Sequence, residues 1–327
     1  MTTEATIAGS KPPVPGTPIL REARMHLVMP ANPIVGTVVS NQRCTAGSKS
    51  AGFVRHLAID VSGTPLAGSY ISGQSFGVIP PGVDSAGKAH KLRLYSIASP
   101  TSGEDGRGCV VATTVKRTID EHHETHKLFL GVASNFLCDT HPGDQVVMTG
   151  PSGKRFVLPS DVHSHNYVFF ATGTGIAPFR GMLMDLFAAN CRSRIVLVMG
   201  SPYASDLLYH KELLGWQEQH TNFRYLTALS RERQSDGGPA IYAHDRIRVS
   251  RDEIVPVLET ERTLVYICGI AGMELGVLQR LSEALSPLQR EQYISVDPDA
   301  MQDVAGWTRR MLNKQLRPSR RVFMEVY

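Results

Sequence analysis

The sequence predicts two domains of different architecture, an antiparallel β domain followed by a doubly wound parallel α/β domain. Short β-rich runs separated by Gly, Pro, Ser and Asp clusters fill the first half, which favours a barrel or a sandwich. From about residue 161, strand patterns alternate with helical ones, which is typical of a parallel sheet covered by helices. The 327 residues suit two domains. We therefore expect a flexible leader over 1–30, the β domain over 31–160 and the α/β domain over 161–327.

Six runs predict strands in the first half: PIVGTVVSN, FVRHLAID, SFGVIP, KLRLYSIASP, GCVVATTVKR and DQVVMTG. SNFLCDT interrupts them as a short helix, which Ser134 or Asn135 can cap. In the second half, NYVFFATG, RIVLVMGS, FRYLTALS and TLVYICG predict buried strands. The helices between and after them are APFRGMLMDLFAAN, DLLYHKELLGWQEQH and GMELGVLQRLSEAL, and the final VFMEVY alternates like a strand.

Composition excludes several classes of protein. No run of 18 apolar residues appears, so no membrane span is expected, and the opening segment resembles neither a secretory signal nor a transit peptide. The five cysteines form no CxxC pair, which argues against a metal site, a cluster or a disulfide framework and favours a reducing cytoplasm. The net charge of +4 is too small to indicate nucleic acid.

Basic residues are concentrated near the C-terminus, within residues 309–321. This basic cluster comprises Arg309, Arg310, Lys314, Arg317, Arg320 and Arg321. A solvated helix face and a docking surface for an acidic partner both fit the pattern.

Two stretches carry chemistry by their residue types. ATGTGIAPFRG, residues 171–181, runs from a buried strand through a glycine turn into a helix, an arrangement that brings backbone N–H groups to a phosphate. Pro178 excludes the GxGxxG fingerprint, and an ordinary tight turn fits equally well. In RLYSIAS, Arg93 suits a pyrophosphate, Tyr95 a planar ring and Ser96 a hydrogen bond, although an exposed strand fits too.

Six motifs in one order resemble plant-type ferredoxin–NADP(+) reductase, a two-domain flavoprotein. They are HKLRLYSIAS, GVASNFLCD, TGTGIAPFRG, LSRE, YICGIAGME and the terminal EVY. The similarity runs from about residue 31 to 327. It implies a Greek-key barrel that binds FAD, an α/β domain that binds NADP(H), and hydride transfer between nicotinamide C4 and flavin N5. Electrons would then pass singly to ferredoxin or flavodoxin.

The resemblance also implies the binding residues. On the FAD side they are Arg93, Leu94, Tyr95, Ser96, Thr114, Val115, Lys116, Val132, Ala133, Ser134 and Thr172, the last of which also begins the nucleotide turn. On the NADP side they are Gly173, Thr174, Gly175, Ser201, Pro202, Ser230, Arg231, Tyr242, Gly269, Ile270 and Met273.

Three positions depart from the family pattern. Ala133 stands where a cysteine is common, and TIDEHHETHKLF lacks the tyrosine that stacks on the FAD adenine, so His122 or His123 is a candidate replacement. Ala240 stands where a lysine usually meets the 2′-phosphate, with Arg233 or Arg246 as possible compensation. We expect NADPH, with tolerance of NADH left open.

Four residues are expected to act in catalysis: Ser96, Cys268, Glu325 and Tyr327. Tyr327 would cover the flavin face opposite Tyr95 and swing aside for nicotinamide, Cys268 would lie beside C4, and Glu325 would hydrogen-bond with Ser96 and relay a proton. Taken alone, Cys268 would be a buried small hydrophobe and EVY a plain edge strand.

An acidic carrier protein is the expected partner, steered by basic residues around the flavin edge. Lys88, Lys91, Lys116, Lys154 and the basic cluster are the candidates. Two alternatives stay open: the reductase component of an oxygenase, and a non-catalytic FAD-binding adaptor. No metal site is expected.

Overall fold

The computed structural model describes residues 17–50 and 52–327. The β domain contains β1 (Ile34–Arg43), β2 (Val54–Asp60), β3 (Ser75–Ile79), β4 (Arg93–Ser96), β5 (Val110–Lys116), β6 (Ile119–Glu121), β7 (Leu128–Leu130), α1 (Val132–Asp139) and β8 (Gln145–Ser152). The α/β domain contains β9 (Asn166–Thr172), α2 (Ile176–Ala188), β10 (Ile195–Ser201), α3 (His210–Gln219), β11 (Phe223–Leu229), α4 (Arg246–Val249), α5 (Arg251–Leu258), β12 (Thr263–Gly269), α6 (Met273–Ala284), α7 (Pro287–Glu291), β13 (Ile294–Val296), β14 (Leu316–Pro318) and β15 (Val322–Val326).

The first sheet is antiparallel and curls back on itself. Its order is β4-β3-β8-β1-β2-β5, and a bridge between Ile97 and Thr113 joins the end of β4 to β5. The Ala98 N–H also donates to the Ala112 carbonyl at 2.7 Å. The predicted antiparallel β domain is confirmed, and its closure favours the barrel over the sandwich. Away from this bridge, the outer edges of β4 and β5 pair with no other strand among the described residues.

The second sheet is parallel throughout, with the order β11-β10-β9-β12-β15. The central strand β9 is buried on both faces because helices cover both sides of the sheet, as its apolar sequence predicts. The last strand, β15, pairs with β12 from Val265–Val322 to Gly269–Val326. The predicted doubly wound domain is confirmed, and the chain terminus lies at the carboxyl edge of the sheet.

Several elements lie outside the sequence prediction. They are the hairpin β6–β7, the helices α4, α5 and α7, and the small pair β13–β14. Helix α3 also starts later than predicted: Leu207 and Leu208 are buried against the core, and Tyr209 turns the chain with a φ of 54°.

Part of the leader is held against the barrel. Leu20 bridges Pro159, and the Val28 N–H donates to the Gly150 carbonyl at 2.9 Å. The Gln74 side chain donates to the Arg24 carbonyl at 2.8 Å. These bonds correct the expected flexible leader for residues 17–30, because buried amide groups hold that backbone in place; residues 1–16 lie outside the described residues. Within residues 17–50 and 52–327, no helix has the length and apolar character needed to cross a bilayer.

Candidate functional site

The glycine turn after β9 packs directly on the end of β12. Residues 173–175 form one 3-10 turn, and α2 follows with Pro178 in its first turn. A Cβ on Gly175 would lie 2.1 Å from the Cys268 carbonyl oxygen, and one on Gly269, where φ is 145°, would lie 2.1 Å from Thr172 Oγ1. Only glycine fits at these two positions. The arrangement brings the Thr172–Gly175 turn and the YICG segment together, as the sequence predicts for one edge of the sheet.

Cys268 and Glu325 are neighbours on adjacent strands. β12 and β15 place them in register, and Cys268 is almost completely buried. Burial, with a smaller contribution from the Glu325 charge, raises the pKa of the Cys268 thiol, so it stays protonated at neutral pH. Burial also raises the pKa of Glu325 to about 7. This carboxyl group therefore changes protonation state near neutral pH.

Tyr327 has a fixed backbone and an exposed ring. Its N–H donates to the Gly269 carbonyl and its carbonyl accepts from the Ala271 N–H, each at 3.0 Å. Its hydroxyl shares a short hydrogen bond with Thr174 Oγ1, and the residue is 63% exposed. Although the residue is exposed, burial of its hydroxyl raises the pKa of that group, so rotation of the ring requires loss of the Thr174 hydrogen bond and of the packing around the hydroxyl. The contact is an addition to the role expected for Thr174, which the sequence assigns to the nucleotide only.

The strand predicted to line the flavin has one exposed and one half-buried part. Arg93 and Leu94 are exposed at the free edge of β4, whereas Tyr95 packs partly on the barrel core, where burial raises its pKa to about 12. Ser96 is half-buried, and its carbonyl accepts from Thr113 Oγ1 at 2.8 Å. In the described part of the chain, the Ser96 and Glu325 side chains form no hydrogen bond with each other.

The start of α1 has unused backbone donors. Within the described residues, the N–H groups of Val132, Ala133 and Ser134 donate to no protein acceptor, and no side chain caps the helix. Ser134 Oγ instead accepts from the Thr118 N–H at 3.2 Å, which fixes the base of the β6–β7 hairpin. First-turn N–H groups together with the helix dipole attract anions. This end of α1 is thus suited to a phosphate group.

Two of the three β5 residues of the predicted site have buried side chains. The Thr114 hydroxyl lies 2.6 Å from Tyr209 Oη, and Val115 is buried in the barrel core. Lys116 is exposed. A ligand along this strand would therefore meet the unpaired edge of β5.

In the α/β domain, two loops meet at the carboxyl edge of the parallel sheet. The Ser230 N–H donates to the Ser201 carbonyl, and the Arg231 N–H donates to the Pro202 carbonyl, each at 3.0 Å. Tyr242 is 64% exposed. The Tyr242 ring is accessible to solvent, with the His244 ring stacked at 5.6 Å on it. Ile270 is exposed and Met273 is buried, so only Ile270 offers its side chain to this surface.

Arg246 does not take the place of the missing lysine. Its Nε donates to the Thr227 carbonyl at 2.7 Å and its Nη2 to Gln234 Oε1 at 3.1 Å, and the residue is buried. This corrects the expectation that Arg246 compensates for Ala240, because its guanidinium holds the loop after β11. Arg233 is exposed and donates to the Gly237 carbonyl at 3.1 Å.

A cleft of about 710 Å³ adjoins Glu325. Lys154, Arg155 and Arg320 are among its lining residues. Three members of the basic cluster have structural partners: Arg309 donates to Glu274 at 2.6 Å, Arg317 to Asp297 at 2.7 Å and Arg321 to Gln292 at 3.0 Å. Part of the cluster is thus a solvated, ion-paired face, and part lines the cleft.

Known proteins share this arrangement. A family model described as the oxidoreductase NAD-binding domain matches residues 169–279. Over 266 residues, which are 80% of this chain and 89% of the other, the sequence is 40% identical to a ferredoxin–NADP reductase from Spirulina sp. It is 38% identical to the chloroplastic root isozyme 1 of Arabidopsis thaliana, covering 80% of this chain and 72% of that one. The chain belongs to the ferredoxin–NADP reductase family.

A solved member of the ferredoxin–NADP reductase family has the same fold. The structure of the Plasmodium falciparum enzyme superposes with a TM-score of 0.65 at 25% identity, covering 82% of this chain and 97% of the other. The family and fold class predicted from the six motifs are therefore confirmed. Among the described residues, no group of three or more His, Cys, Asp or Glu side chains is arranged to hold a metal ion.

Proposed function

We propose that this chain is a ferredoxin–NADP reductase, which transfers electrons between NADPH and a small one-electron carrier, ferredoxin or flavodoxin, through FAD. The main support for this function is that four features expected of the site lie together at one edge of the parallel sheet. The glycine turn, Cys268, Glu325 and Tyr327 all lie where β9, β12 and β15 end. Residues 31–160 and 161–327 are the corresponding FAD-binding and NADP-binding domains.

The residues of the β domain fit FAD. The open edges of β4 and β5 accommodate an extended ligand, and the free N–H groups of α1 and the Arg93 guanidinium suit a pyrophosphate. Bound FAD supplies hydride and single-electron chemistry. Tyr95 offers one aromatic wall for the flavin ring, and Tyr327 offers the other. Ser96 lies at the end of the same strand as Tyr95 and provides a hydroxyl.

The α/β domain orients the nucleotide. The turn from Thr172 to Gly175 presents backbone N–H groups to the pyrophosphate, while Ser230, Arg231 and Tyr242 meet the adenosine end. A phosphate that recruits the Thr174 hydroxyl would take away the hydrogen bond of Tyr327. Nucleotide binding therefore favours release of the ring that covers the flavin. Glu325, with a pKa of about 7, holds or releases a proton close by.

The surface charge supports an acidic carrier protein as the partner, and the free cysteines support a reducing compartment. The cleft lined by Lys154, Arg155 and Arg320 suits an acidic carrier, because opposite charges steer association. Cys44, Cys109, Cys138, Cys191 and Cys268 are all free, in keeping with a reducing cytoplasm.

The test is anaerobic reduction of the flavin-loaded protein in rapid mixing, followed at the visible flavin band, with NADPH and NADH titrated separately. We expect fast bleaching by NADPH and slow bleaching by NADH. Bleaching by neither nucleotide would refute the enzyme and leave the non-catalytic adaptor.

A second candidate, an NADH-tolerant reductase component of an oxygenase, is favoured by one observation. Ala240 offers no charge to a 2′-phosphate, and Arg246 is committed to the loop after β11. Loss of one charge-assisted bond of about 1.5–3 kcal/mol lowers affinity about 10–100-fold. Equal rates of bleaching by the two nucleotides would select this function.

A further inference from the structure

A buried arginine joins the two domains beneath the site. Arg180, in the second turn of α2, is 7% exposed, and its guanidinium contacts groups on both sides. Nη1 donates to Glu104 Oε1 at 2.6 Å and to the Ala98 carbonyl at 3.0 Å, both in the β domain. Nε and Nη2 donate to the carboxylate of Glu212 in α3, each at 2.9 Å. One cation is therefore shared by two carboxylates from different domains.

Helix α2 makes further contacts with the β domain. Asp185 accepts from the Thr101 N–H at 2.9 Å and from Ser72 Oγ at 2.8 Å. A Cβ on Gly181 would lie 2.3 Å from the Ser99 carbonyl oxygen, so the helix rests directly on the backbone there. The contact is close-packed over more than one helical turn.

A ring beneath the guanidinium extends the contact into the barrel. The Tyr209 ring lies 5.2 Å from the Arg180 guanidinium carbon, and Tyr209 Oη lies 2.9 Å from His56 Nδ1 and 2.6 Å from Thr114 Oγ1. Burial, with a smaller contribution from Arg180, lowers the pKa of His56 to about 3. His56 is therefore neutral at neutral pH, and Arg180 balances the Glu104 charge.

The two segments that Arg180 joins are direct continuations of the site. Helix α2 begins immediately after the glycine turn, and that turn is packed on Cys268. Ala98 follows Ser96 by two residues, and its N–H closes the barrel at Ala112. A shift of α2 against residues 98–104 therefore moves the nucleotide turn relative to the strand that carries Tyr95 and Ser96.

We propose that Arg180 is a positioning residue for hydride transfer: its bonds to Glu104 and Ala98 set the separation of the nicotinamide and flavin surfaces. The inference rests on the proposed function and adds to it a residue that touches neither ligand. Near-attack geometry tolerates little displacement, since an error of about 1 Å can cost about 100-fold in rate.

The experiment compares two isosteric variants at the same guanidinium. Glu104→Gln weakens the bond between domains, whereas Glu212→Gln weakens the bond within the α/β domain, and both glutamates are similarly exposed. With Glu104→Gln, we expect the first-order rate of flavin reduction by NADPH to fall by about 10-fold. The charge-transfer absorbance between nucleotide and flavin should fall with it. With Glu212→Gln, both should stay close to the parent values.

Amide hydrogen exchange provides a readout independent of turnover. Residues 98–104 should exchange faster in Glu104→Gln than in Glu212→Gln at equal melting temperature. If Glu104→Gln does not fold, Thr101→Val takes its place in both measurements. This variant removes the hydrogen bond from the Thr101 hydroxyl to Asp185, which lies in the same interface between the domains. Equal losses in the two glutamine variants, or an unchanged rate in a folded Glu104→Gln, would overturn the proposal. A parent protein that NADPH does not reduce would refute the proposed function itself, and the role of Arg180 with it.

Discussion

The two ligand surfaces of this molecule differ in how far the protein alone completes them. On the nucleotide side, Gly175 and Gly269 pack so closely on neighbouring atoms that no Cβ fits. On the proposed flavin side, Ile119 is 58% exposed, Leu128 70%, Phe129 61% and Leu130 54%, all in the β6–β7 hairpin. One surface is pre-formed by protein contacts, and the other is an apolar ribbon that no segment within residues 17–50 and 52–327 covers.

This difference matches two kinds of ligand. A nucleotide that arrives and leaves in each cycle is served by a rigid turn, because a pre-formed site pays little ordering entropy on binding. A resident cofactor acts as part of the core, and a two-stranded hairpin is marginal without such a partner. The predictions below test the rigid turn, the boundary between the surfaces and the exposed hairpin.

The largest effect is expected from Gly175→Ala. The added methyl group would meet the Cys268 carbonyl at 2.1 Å, so the turn must move away from β12. A displacement of about 1 Å should lower the rate of flavin reduction by NADPH about 100-fold. Rapid mixing measures the rate, and thermal unfolding reports the accompanying loss of stability.

Gly215→Ala is the matched control. Gly215 lies within α3, and a Cβ there meets no atom within 4 Å. Alanine in a helix interior should raise stability by about 0.5–1 kcal/mol and leave reduction unchanged. A normal rate in Gly175→Ala would show that the turn is adaptable, and the contrast between the two surfaces would disappear.

The sequence predicted the rigid surface better than the ribbon, for physical reasons. Apolar runs with glycine at their ends indicate buried parallel strands, and the carboxyl ends of such strands bind ligands, while the resemblance to the family assigns the turn and the YICG segment to one site. The β6–β7 hairpin has a polar strand, Ile119–Glu121, and a histidine-rich turn, so no alternation announces it. The order of residues 17–30 is not visible in the sequence, because these residues are held by contacts with residues distant in sequence. The hydrogen bond from Gln74 to the Arg24 carbonyl is one example.

Arg180 shows most clearly what a local sequence pattern does not predict. It stands inside the quoted TGTGIAPFRG motif, yet an arginine on a helix is ordinarily a solvent-facing residue. Its burial depends on Glu104, 76 positions earlier, and on Glu212, 32 positions later. No local pattern encodes such a pairing, so only the fold reveals it.

The intermediate effect concerns Glu325, at the boundary between the surfaces. Because burial raises its pKa to about 7, the folded protein keeps a proton there that the unfolded chain has already released. Stability is therefore highest below the ordinary pKa of glutamate and falls as the pH rises through 7. Relative to Glu325→Gln, the parent should lose about 2 kcal/mol of unfolding free energy between pH 5 and pH 8. Urea unfolding at several pH values measures this difference.

Glu283→Gln is the control, since Glu283 lies on the surface of α6, more exposed than Glu325. The same urea series on Glu283→Gln shows how much pH dependence a surface exchange of Glu for Gln produces by itself. A flat difference between Glu325→Gln and the parent would mean that water reaches the Glu325 carboxyl group, which would exclude it as a proton store near neutral pH.

The smallest effect is expected from a substitution of Phe129 in the exposed β6–β7 hairpin. The register of β6–β7 pairs Phe129 with Asp120, which puts its ring on the face opposite Ile119 and Leu130. The hairpin ends beside the free N–H groups of α1, so we expect this ring to stack on the adenine of FAD, where the usual tyrosine is missing. Stacking of about 0.5–1.5 kcal/mol predicts that Phe129→Ala lowers FAD affinity about 2–10-fold.

FMN lacks the adenosine half of FAD and supplies the internal control for this variant. Flavin fluorescence titration of the apoprotein should show weaker FAD binding and unchanged FMN binding in Phe129→Ala. Leu288→Ala, which truncates a side chain that is 77% exposed on α7, should alter neither. Equal losses for FAD and FMN would place the defect in the barrel rather than at the adenine. Unchanged FAD affinity would leave His122 and His123, whose rings stack at 5.3 Å, as the remaining platform.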